Sequence, residues 1–322
     1  MAEPAIEVEG VEKRFSVRVR RGRLRRERRE VAAVDGISFT IERGSLVGYL
    51  GPNGAGKSTT VKMLTGILVP SGGRIRVAGR DPSRQRVELA RRIGVVFGQR
   101  SQLWWDLPLR DSFDLLRHIY RVRAERHGAN LDRFTELLGL AAFLDTPVRQ
   151  LSLGQRMRGE LTAALLHDPE IVFLDEPTIG LDVVAKAAVR EFLAEVNRER
   201  GVTVLLTTHD LADIERLCSR LLIIDHGHVI WDGGIDELKR EYGQERTLVV
   251  DLEEPGPPLE LAGTRVARVE GPRQWLAFRR DETSAAELIA GVAARARIVD
   301  VAIEETEIEE IVRRIYAAGA GP

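Results

Sequence analysis

Short, nearly continuous apolar runs alternate with stretches of helical spacing over most of the chain. The runs are rich in β-branched residues and lie at residues 45–50, 93–97, 171–175, 202–206 and 220–224. Strands covered by helices on both faces have this composition, whereas a strand with one wet face alternates apolar and polar positions. The pattern over about residues 6–231 therefore predicts an α/β domain with a largely parallel sheet.

Helical spacing replaces the strand pattern between residues 104 and 139, as at Phe113, Leu116 and Tyr120. Apolar positions three or four residues apart lie on one face of a helix. We therefore expect a helical subdomain at about residues 100–160, inserted into the α/β domain.

The character of the chain changes again after Tyr242. Alternating strands, a helix, a further strand and a last helix are predicted at residues 247–252, 274–279, 284–294, 298–303 and 307–318, and a Pro/Gly-rich break lies at residues 254–258. The expected organisation is thus one domain at residues 1–243 and a small α+β domain at residues 244–322. The second domain carries no readable motif, so dimerisation and regulation both stay open as its role.

Composition narrows the class of protein. The 322 residues have a formal net charge of −1 and 43% hydrophobic residues, which is typical of a soluble globular protein and gives no pull toward nucleic acid. We find no apolar run of about 18 residues and no signal-peptide pattern. The single cysteine, Cys218, fits a reducing compartment. These observations together predict a cytoplasmic protein without a nucleic-acid partner.

An arginine-dense stretch at residues 18–29 is the main local charge feature. One interpretation is a solvated hairpin, since runs of like charge are usually solvated. The other is contact with anionic lipid headgroups or with a membrane partner.

A phosphate-binding loop follows the first apolar strand. The pattern G-x-x-x-x-G-K-[S/T] is met by Gly51, Pro52, Asn53, Gly54, Ala55, Gly56, Lys57, Ser58 and Thr59, with a helix predicted from Lys57. Glycines let the backbone N–H groups surround phosphates, and the helix N-terminus favours negative charge. Lys57 is expected to reach the β- and γ-phosphates of ATP, and Ser58 to bind Mg²⁺.

Two acidic residues end the strand at residues 171–175, at the edge where parallel sheets bind ligands. Asp175 fits the role of a partner of Mg²⁺, and Glu176 that of the group that orients or deprotonates the attacking water. His209 follows the strand at residues 202–206 at the same edge, and we expect it to reach the γ-phosphate.

These motifs, in this order over residues 6 to about 240, resemble the nucleotide-binding subunits of the ABC transporter superfamily. The resemblance implies the P-loop NTPase fold of the ABC type. It assigns Ser152, Leu153, Gly154 and Gln155 to the signature motif, Asp182 to the D-loop, Gln99 to the Q-loop and to Mg²⁺, His209 to the switch histidine, and Phe15 to the aromatic group on adenine.

The resemblance also implies head-to-tail dimerisation. Ser152 is predicted to cap a helix, so that its hydroxyl and the N–H groups of residues 153–155 form a second anion site. In the family, this site in one subunit closes on ATP held by the loop of the other. We expect a homodimer, with a homologous second cassette as the alternative. Leu153 replaces the usual glycine, which requires a negative φ and room for its side chain.

Partners follow from the same resemblance. Residues 98–108, the signature and the extra C-terminal domain resemble the type-2 exporter branch, which includes drug and polysaccharide exporters. Integral membrane permease subunits are then the partners, and the chain lies at the cytoplasmic face of the membrane. Trp104 and Trp105 either pack in the core or form the base of a groove that receives a helix of a membrane subunit. The transported substrate is not encoded here.

Three other functions are compatible with part of this pattern. A soluble ABC ATPase of translation or repair usually carries two cassettes, zinc-binding cysteines or long coiled coils, which this sequence lacks. A module without hydrolysis is expected to lack the acid or the histidine, and both Glu176 and His209 are present. An importer subunit stays open, because motifs alone do not fix the direction of transport.

Overall fold

The computed structural model describes residues 3–21, 25–98, 100–208, 210–279 and 281–319, and the side chains of these residues except 18–27 and 318–319. The described chain forms two compact units, Met1–Gly233 and Gly234–Pro322. In the first unit the strands are β1 (Ile6–Arg21), β2 (Arg25–Ile41), β3 (Leu46–Leu50), β4 (Gly72–Val77), β5 (Ile93–Phe97), β6 (Ile171–Asp175), β7 (Thr203–Thr207), β8 (Arg220–Asp225) and β9 (His228–Gly234). Its helices are α1 (Lys57–Leu64), α2 (Arg86–Ala90), α3 (Leu109–Tyr120), α4 (Ala124–Leu138), α5 (Leu153–Leu165), α6 (Val183–Arg200) and α7 (Leu211–Leu217).

The first unit contains a six-stranded sheet of order β5-β6-β7-β3-β8-β9. The pairings from β5 through β8 are parallel. The predicted parallel core is therefore confirmed, and each predicted strand agrees with the observed one to within one residue at each end. In a parallel sheet the carboxyl ends of the strands lie together, so the residues after β3, β5, β6 and β7 share one edge. We call it the functional edge.

The sequence did not predict a separate three-stranded antiparallel sheet of order β2-β1-β4. Its strands β1 and β2 form a long hairpin, in which Arg20 pairs with Arg26 and Arg21 with Arg25. The hairpin interpretation of the arginine-dense stretch is thus confirmed for the backbone, and the side chains of Arg28 and Arg29 are exposed. Contact with lipid or with a partner stays a prediction.

The predicted helical insertion is confirmed by α3 and α4, a short 3-10 turn at Val148–Gln150, and the start of α5. α3 begins after Pro108, and α4 ends at Leu138, before Gly139, whose left-handed φ of 60° suits a residue without a side chain. Phe134 of α4 packs edge-on against Phe192 of α6, with 5.4 Å between ring centroids. This aromatic contact anchors the helical part to the α/β core.

The second unit contains α8 (Ile235–Tyr242), β10 (Glu245–Leu252), β11 (Thr264–Glu270), β12 (Arg273–Arg279), α9 (Ala285–Ala293), β13 (Ile298–Glu305) and α10 (Ile308–Gly319). Its four-stranded antiparallel sheet has the order β11-β12-β10-β13. Residues of β10, β12 and α9 form its core, including Leu248, Phe278 and Leu288. The predicted helices and strands are present, and β11 is an addition because its charged residues hide the strand pattern.

Within the described ranges of both units, no helix is both long and apolar enough to cross a bilayer.

Candidate functional site

The phosphate-binding loop connects β3 to α1 at the functional edge of the sheet. Gly56 adopts φ 109° as the residue before α1, a conformation that side chains other than glycine rarely adopt. A Cβ at Gly56 would also overlap the carbonyl oxygen of Ala33, and one at Gly51 would lie 2.5 Å from that of Ile224. Glycine is therefore required at both positions by the neighbouring backbone.

Lys57 is almost fully buried at the start of α1. Its Nζ donates to the carbonyl oxygen of Gly51 at 2.5 Å and to that of Pro52 at 3.1 Å. Burial lowers the pKa of Lys57, while the nearby charges of Glu176 and Asp175 oppose that shift. The ammonium group thus lies between the loop and the acidic pair, where a phosphate would be bound by both the loop and Lys57.

Asp175 is the last residue of β6 and faces the functional edge. The hydroxyl of Thr207, on the neighbouring strand, donates to its Oδ1 at 2.5 Å. This bond fixes the rotamer of Asp175 and leaves carboxylate lone pairs for another ligand.

Glu176 has a left-handed backbone with φ 57°, which is uncommon for a residue with a side chain. Its N–H group donates to the carbonyl oxygen of Thr207 at 2.9 Å. That bond holds the turn directly after β6. Strained backbone of this kind is concentrated at functional sites.

One cavity of about 600 Å³ brings part of the predicted site, from the loop region and the acidic pair, together. Its lining includes Asn53 and Ser58 from the loop region, Gly98 after β5, and the acidic pair Asp175 and Glu176. Ser58 and Asp175 supply the hard oxygen ligands that Mg²⁺ prefers, and Mg²⁺ usually takes its remaining ligands from phosphate and water. The donor set in this cavity therefore fits a magnesium–nucleotide complex.

Gln99 and His209 lie outside the described residues, so their roles stay predictions. Their neighbours are described. Gly98 lines the cavity, and the N–H group of Asp210 donates to the hydroxyl of Thr208 at 3.0 Å.

The sequence did not predict a network of buried and partly buried ionic contacts after the acidic pair. Thr178 donates its hydroxyl to Oδ2 of the fully buried Asp213 at 2.6 Å, and Arg190 donates to Oδ1 at 2.7 Å. Lys186 pairs with Asp210, and this hydrogen bond lowers the pKa of Asp210. The network connects the loop after β6 to α6 and α7. No local pattern signals it, because Thr178 and Asp213 are 35 positions apart.

The signature residues lie at the start of α5. Ser152 caps the helix: its Oγ accepts from the N–H group of Gln155 at 3.2 Å, and Oε1 of Gln155 accepts from the N–H group of Ser152 at 2.9 Å. The predicted cap is confirmed as a capping box. First-turn N–H groups such as those of Leu153 and Gly154 have no partner within the helix, so they can bind an anion.

Leu153 is accommodated without strain. It is the first residue of α5, so its backbone is helical, and its side chain is partly exposed. A Cβ at Gly180 would lie 2.7 Å from Cδ2 of Leu153, which shows that the leucine packs against the turn that precedes Asp182. Asp182 caps α6 by accepting from the N–H group of Ala185 at 2.8 Å.

Large apolar side chains are exposed beside these motifs. Val183 is 78% and Val184 is 80% exposed at the start of α6, and Ile179 is also exposed. The signature residues do not line the cavity that contains the loop and the acidic pair.

The aromatic predictions have different outcomes. Phe15 lies on β1 with its ring partly exposed and Nζ of Lys13 5.2 Å from the ring centroid. It is outside the set that lines the cavity, so the contact with adenine stays a prediction. Trp105 is 53% exposed and lies against Arg156, and Trp104 is partly exposed, so packing of this pair in the core is wrong.

Comparison with known proteins adds independent findings. A family model described as "ABC transporter" matches residues 34–179. The chain is 36% identical over 318 residues to the daunorubicin resistance ATP-binding protein DrrA3 of Streptomyces coeruleorubidus, covering 97% of this chain and 95% of that protein. It is 34% identical over 225 residues to the ABC transporter ATP-binding protein NatA of Bacillus subtilis, covering 70% of this chain and 90% of NatA.

Solved structures share the fold of the first unit. An ATP-binding subunit of an ABC transporter superimposes with a TM-score of 0.64 at 26% identity, covering 74% of this chain and 93% of that one. A dimeric bacterial ABC transporter cassette does so with a TM-score of 0.60 at 25% identity, covering 71% and 98%. Both similarities agree with the P-loop NTPase fold of the ABC type.

Proposed function

Because this chain belongs to the ABC transporter family of ATP-binding proteins, we propose that it hydrolyses ATP to power export through separate membrane-spanning permease subunits. The observation that carries the proposal is the single cavity in which the loop residue Ser58 meets Asp175 and Glu176. Phosphate-binding and water-activating groups thus occupy one site.

Each residue of the site has a distinct task. The loop N–H groups and Lys57 bind the phosphates and neutralise their charge. Ser58 and Asp175 hold Mg²⁺, which supplies further neutralisation of the triphosphate when bound. Glu176 orients the attacking water and accepts its proton, and Thr207 keeps the adjacent Asp175 in place.

A second nucleotide-binding subunit completes the site, and a second copy of this chain is the simplest choice. The signature of one chain offers the N–H groups of Leu153 and Gly154 to the γ-phosphate held by the other chain. The exposed valines at the start of α6 support this arrangement, since apolar side chains beside a polar site mark a partner surface. The similarity to a dimeric cassette agrees with it.

The proposed permease contact lies at the paired tryptophans. Trp104, Trp105 and Ile119 are exposed on the helical part of the first unit, and exposed aromatic residues are frequent anchors of protein interfaces. Binding there would hold the chain at the cytoplasmic face of the membrane. Export rather than import is favoured by the 36% identity to a drug-resistance protein, which extends over both units of this chain.

The proposal is tested with the Glu176→Gln variant. Loss of the general base should lower ATP turnover by about 10²- to 10⁴-fold while ATP still binds. Size-exclusion chromatography with light scattering should then show a dimer with Mg-ATP and a monomer without it. Glu191→Gln, an exposed carboxylate of α6, is the matched control and should hydrolyse ATP at the rate of the unmodified protein.

Two results would refute this function. Undiminished turnover of Glu176→Gln would exclude Glu176 as the base. In the same background, Ser152→Glu should abolish the dimer without loss of nucleotide binding, because the acid repels the γ-phosphate only across the interface. Loss of nucleotide binding itself would contradict a site shared between two chains.

A further inference from the structure

A buried carboxylate lies on the signature helix, away from the nucleotide cavity. Glu160 is in the middle of α5 with 5% of its surface exposed. It accepts hydrogen bonds from the hydroxyl of Ser101 and, at Oε2, from the N–H group of Gln102 at 3.2 Å. Burial raises the pKa of Glu160, and these two hydrogen bonds oppose the shift.

The side chain of Gln102 makes two further hydrogen bonds. Nε2 of Gln102 donates to the main-chain oxygen of Glu160 at 3.2 Å and to that of Val95, in β5, at 3.4 Å. Ser101 and Gln102 are therefore tied both to the signature helix and to the strand that leads into the nucleotide cavity.

Close packing supports these hydrogen bonds. A Cβ at Gly94 of β5 would overlap the carbonyl oxygen of Ala164 in α5. One at Gly159 would lie 3.2 Å from Cδ1 of Leu103, in the segment after Gln102. Glycine at these two positions lets α5 lie directly against β5 and against the segment that follows it.

The segment after β5 and the helix α5 each lead to one of the two phosphate-binding regions of the chain. Gly98, a few residues before Ser101, lines the cavity with Asp175 and Glu176. Ser152, two turns before Glu160 on the same helix, caps the signature. Glu160 thus joins the segment that leaves one nucleotide site to the helix that presents the signature to the other.

Stability alone does not account for a carboxylate here. Burying a charged group has a large desolvation cost that its hydrogen bonds must offset, and an apolar side chain of similar volume is often at least as stabilising. Thr162, two residues further on and fully buried, is satisfied by a bond to Arg158 within α5 and makes no such link.

We propose that Glu160 is a positioning residue that fixes the segment after β5 to the signature helix, so that the two move together when ATP binds. The proposal rests on the proposed function, in which the signature acts on a nucleotide held by a second chain. Glu160 touches no reacting group. Its effect is to transmit the state of one nucleotide site to the signature that serves the other.

Replacing Glu160 tests the link at two strengths. Glu160→Gln keeps an acceptor for Ser101 but offers an amide to the N–H group of Gln102, and Glu160→Leu removes both acceptors. We expect kcat for ATP hydrolysis to fall about 3-fold in the first and about 10-fold or more in the second. Nucleotide affinity of the isolated chain should stay within about 2-fold, since the loop and Lys57 are untouched.

Thr162→Val is the matched control at a buried polar position of the same helix. It should leave kcat unchanged even if it lowers the melting temperature. A fall in kcat that follows melting temperature in all three variants would overturn the proposal, because Glu160 would then act only through stability.

A double-mutant cycle isolates the bond itself. Ser101→Ala should lower kcat, and adding it to Glu160→Leu should cause little further loss, because both changes break the same link. Additive losses would show that the two residues act independently, and would overturn the proposal. If Glu160→Leu folds poorly, Glu160→Ala takes its place in the cycle, because it also removes both acceptors.

Tryptophan emission separates failure of this proposal from failure of the proposed function. Trp104 and Trp105 follow the linked segment, and ATP should change their emission in the Glu176→Gln protein but not after Glu160→Leu is added. A dimer that forms normally, with an unchanged emission response, in the Glu160→Leu protein overturns the role of Glu160. Absence of a dimer in Glu176→Gln alone contradicts the two-chain site, while the emission response still tests Glu160.

Discussion

Two residues of the first unit have a backbone conformation or a burial that is unfavourable by itself. Glu176 keeps a left-handed backbone that costs about 1–3 kcal/mol for a residue with a side chain, and its bond to Thr207 helps to hold it. Lys57 is buried against carbonyl oxygens although burial lowers its pKa. The surrounding sheet and loop hold these groups in place, and in the proposed function they place charge where a phosphate binds.

Buried His167 makes stability depend on pH. Its ring stacks on Tyr120 with 3.9 Å between centroids, Nε2 lies 3.0 Å from the carbonyl oxygen of Ile93, and burial lowers its pKa to about 4. The unfolded chain binds this proton near pH 6.5, so the unfolding free energy should fall by about 3 kcal/mol between pH 6.5 and 4. Burial also lowers the pKa of His127, which acts in the same direction.

Urea denaturation at pH 7 and pH 4.5 measures this effect. His167→Gln should flatten the pH dependence, whereas His118→Gln, on the exposed side of α3, should keep it. An equal slope in unmodified protein and His167→Gln would exclude His167 as the source.

At the scale of elements, the contact between α5 and β5 depends on backbone proximity. The carbonyl oxygen of Ala164 occupies the space that a side chain at Gly94 would need. A helix that lies so close to a strand transmits small displacements, because close-packed interiors resist deformation. The signature at the start of α5 and the segment after β5 therefore depend on one packing contact.

Two glycine-to-alanine substitutions should change the free energy of unfolding in opposite directions. Gly94→Ala should destabilise the first unit by about 1–3 kcal/mol, the usual cost of forcing a group into a packed interior. Gly128→Ala should stabilise it by about 0.5–1 kcal/mol, because Gly128 lies inside α4 with nothing within 4 Å of the added Cβ. Chemical denaturation measures both, and a stable Gly94→Ala protein would show that α5 can move away from β5.

At the scale of the whole molecule, the chain forms two compact units with separate cores. The residues proposed to bind nucleotide belong to the first unit, and a ligand stabilises only what it binds in the folded state. The second unit contributes its own sheet and hydrophobic core, so it can unfold as a separate transition.

Calorimetry should therefore show two unfolding transitions, and Mg-ATP should raise the melting temperature of only one of them. At a free ATP concentration about 100 times Kd, the first unit gains about 2.7 kcal/mol. Lys57→Ala should abolish this shift because it removes the buried cation from the loop. Equal shifts of both transitions would mean that the units unfold cooperatively.

Much of the candidate site was predictable because its signals are local. The phosphate-binding loop and the acidic pair are contiguous, and their strands are apolar enough to predict from composition alone. The capping box of Ser152 and Gln155 is local as well, since it spans one helical turn. Leu153 needed the structure, because only its position in the first turn of α5 shows that its side chain is accommodated.

The sequence by itself determined the chemistry of the first unit and the order of its main elements, since backbone requirements and hydrophobic periodicity act over a few residues. Only the tertiary structure decided which distant residues meet. The antiparallel sheet of β1, β2 and β4, the bond between Thr178 and Asp213, and the bond between Ser101 and Glu160, 59 positions apart, all depend on how strands are ordered in space. Long-range pairing leaves no periodic trace in the chain, because its free energy comes from burial that exists only after the elements have packed.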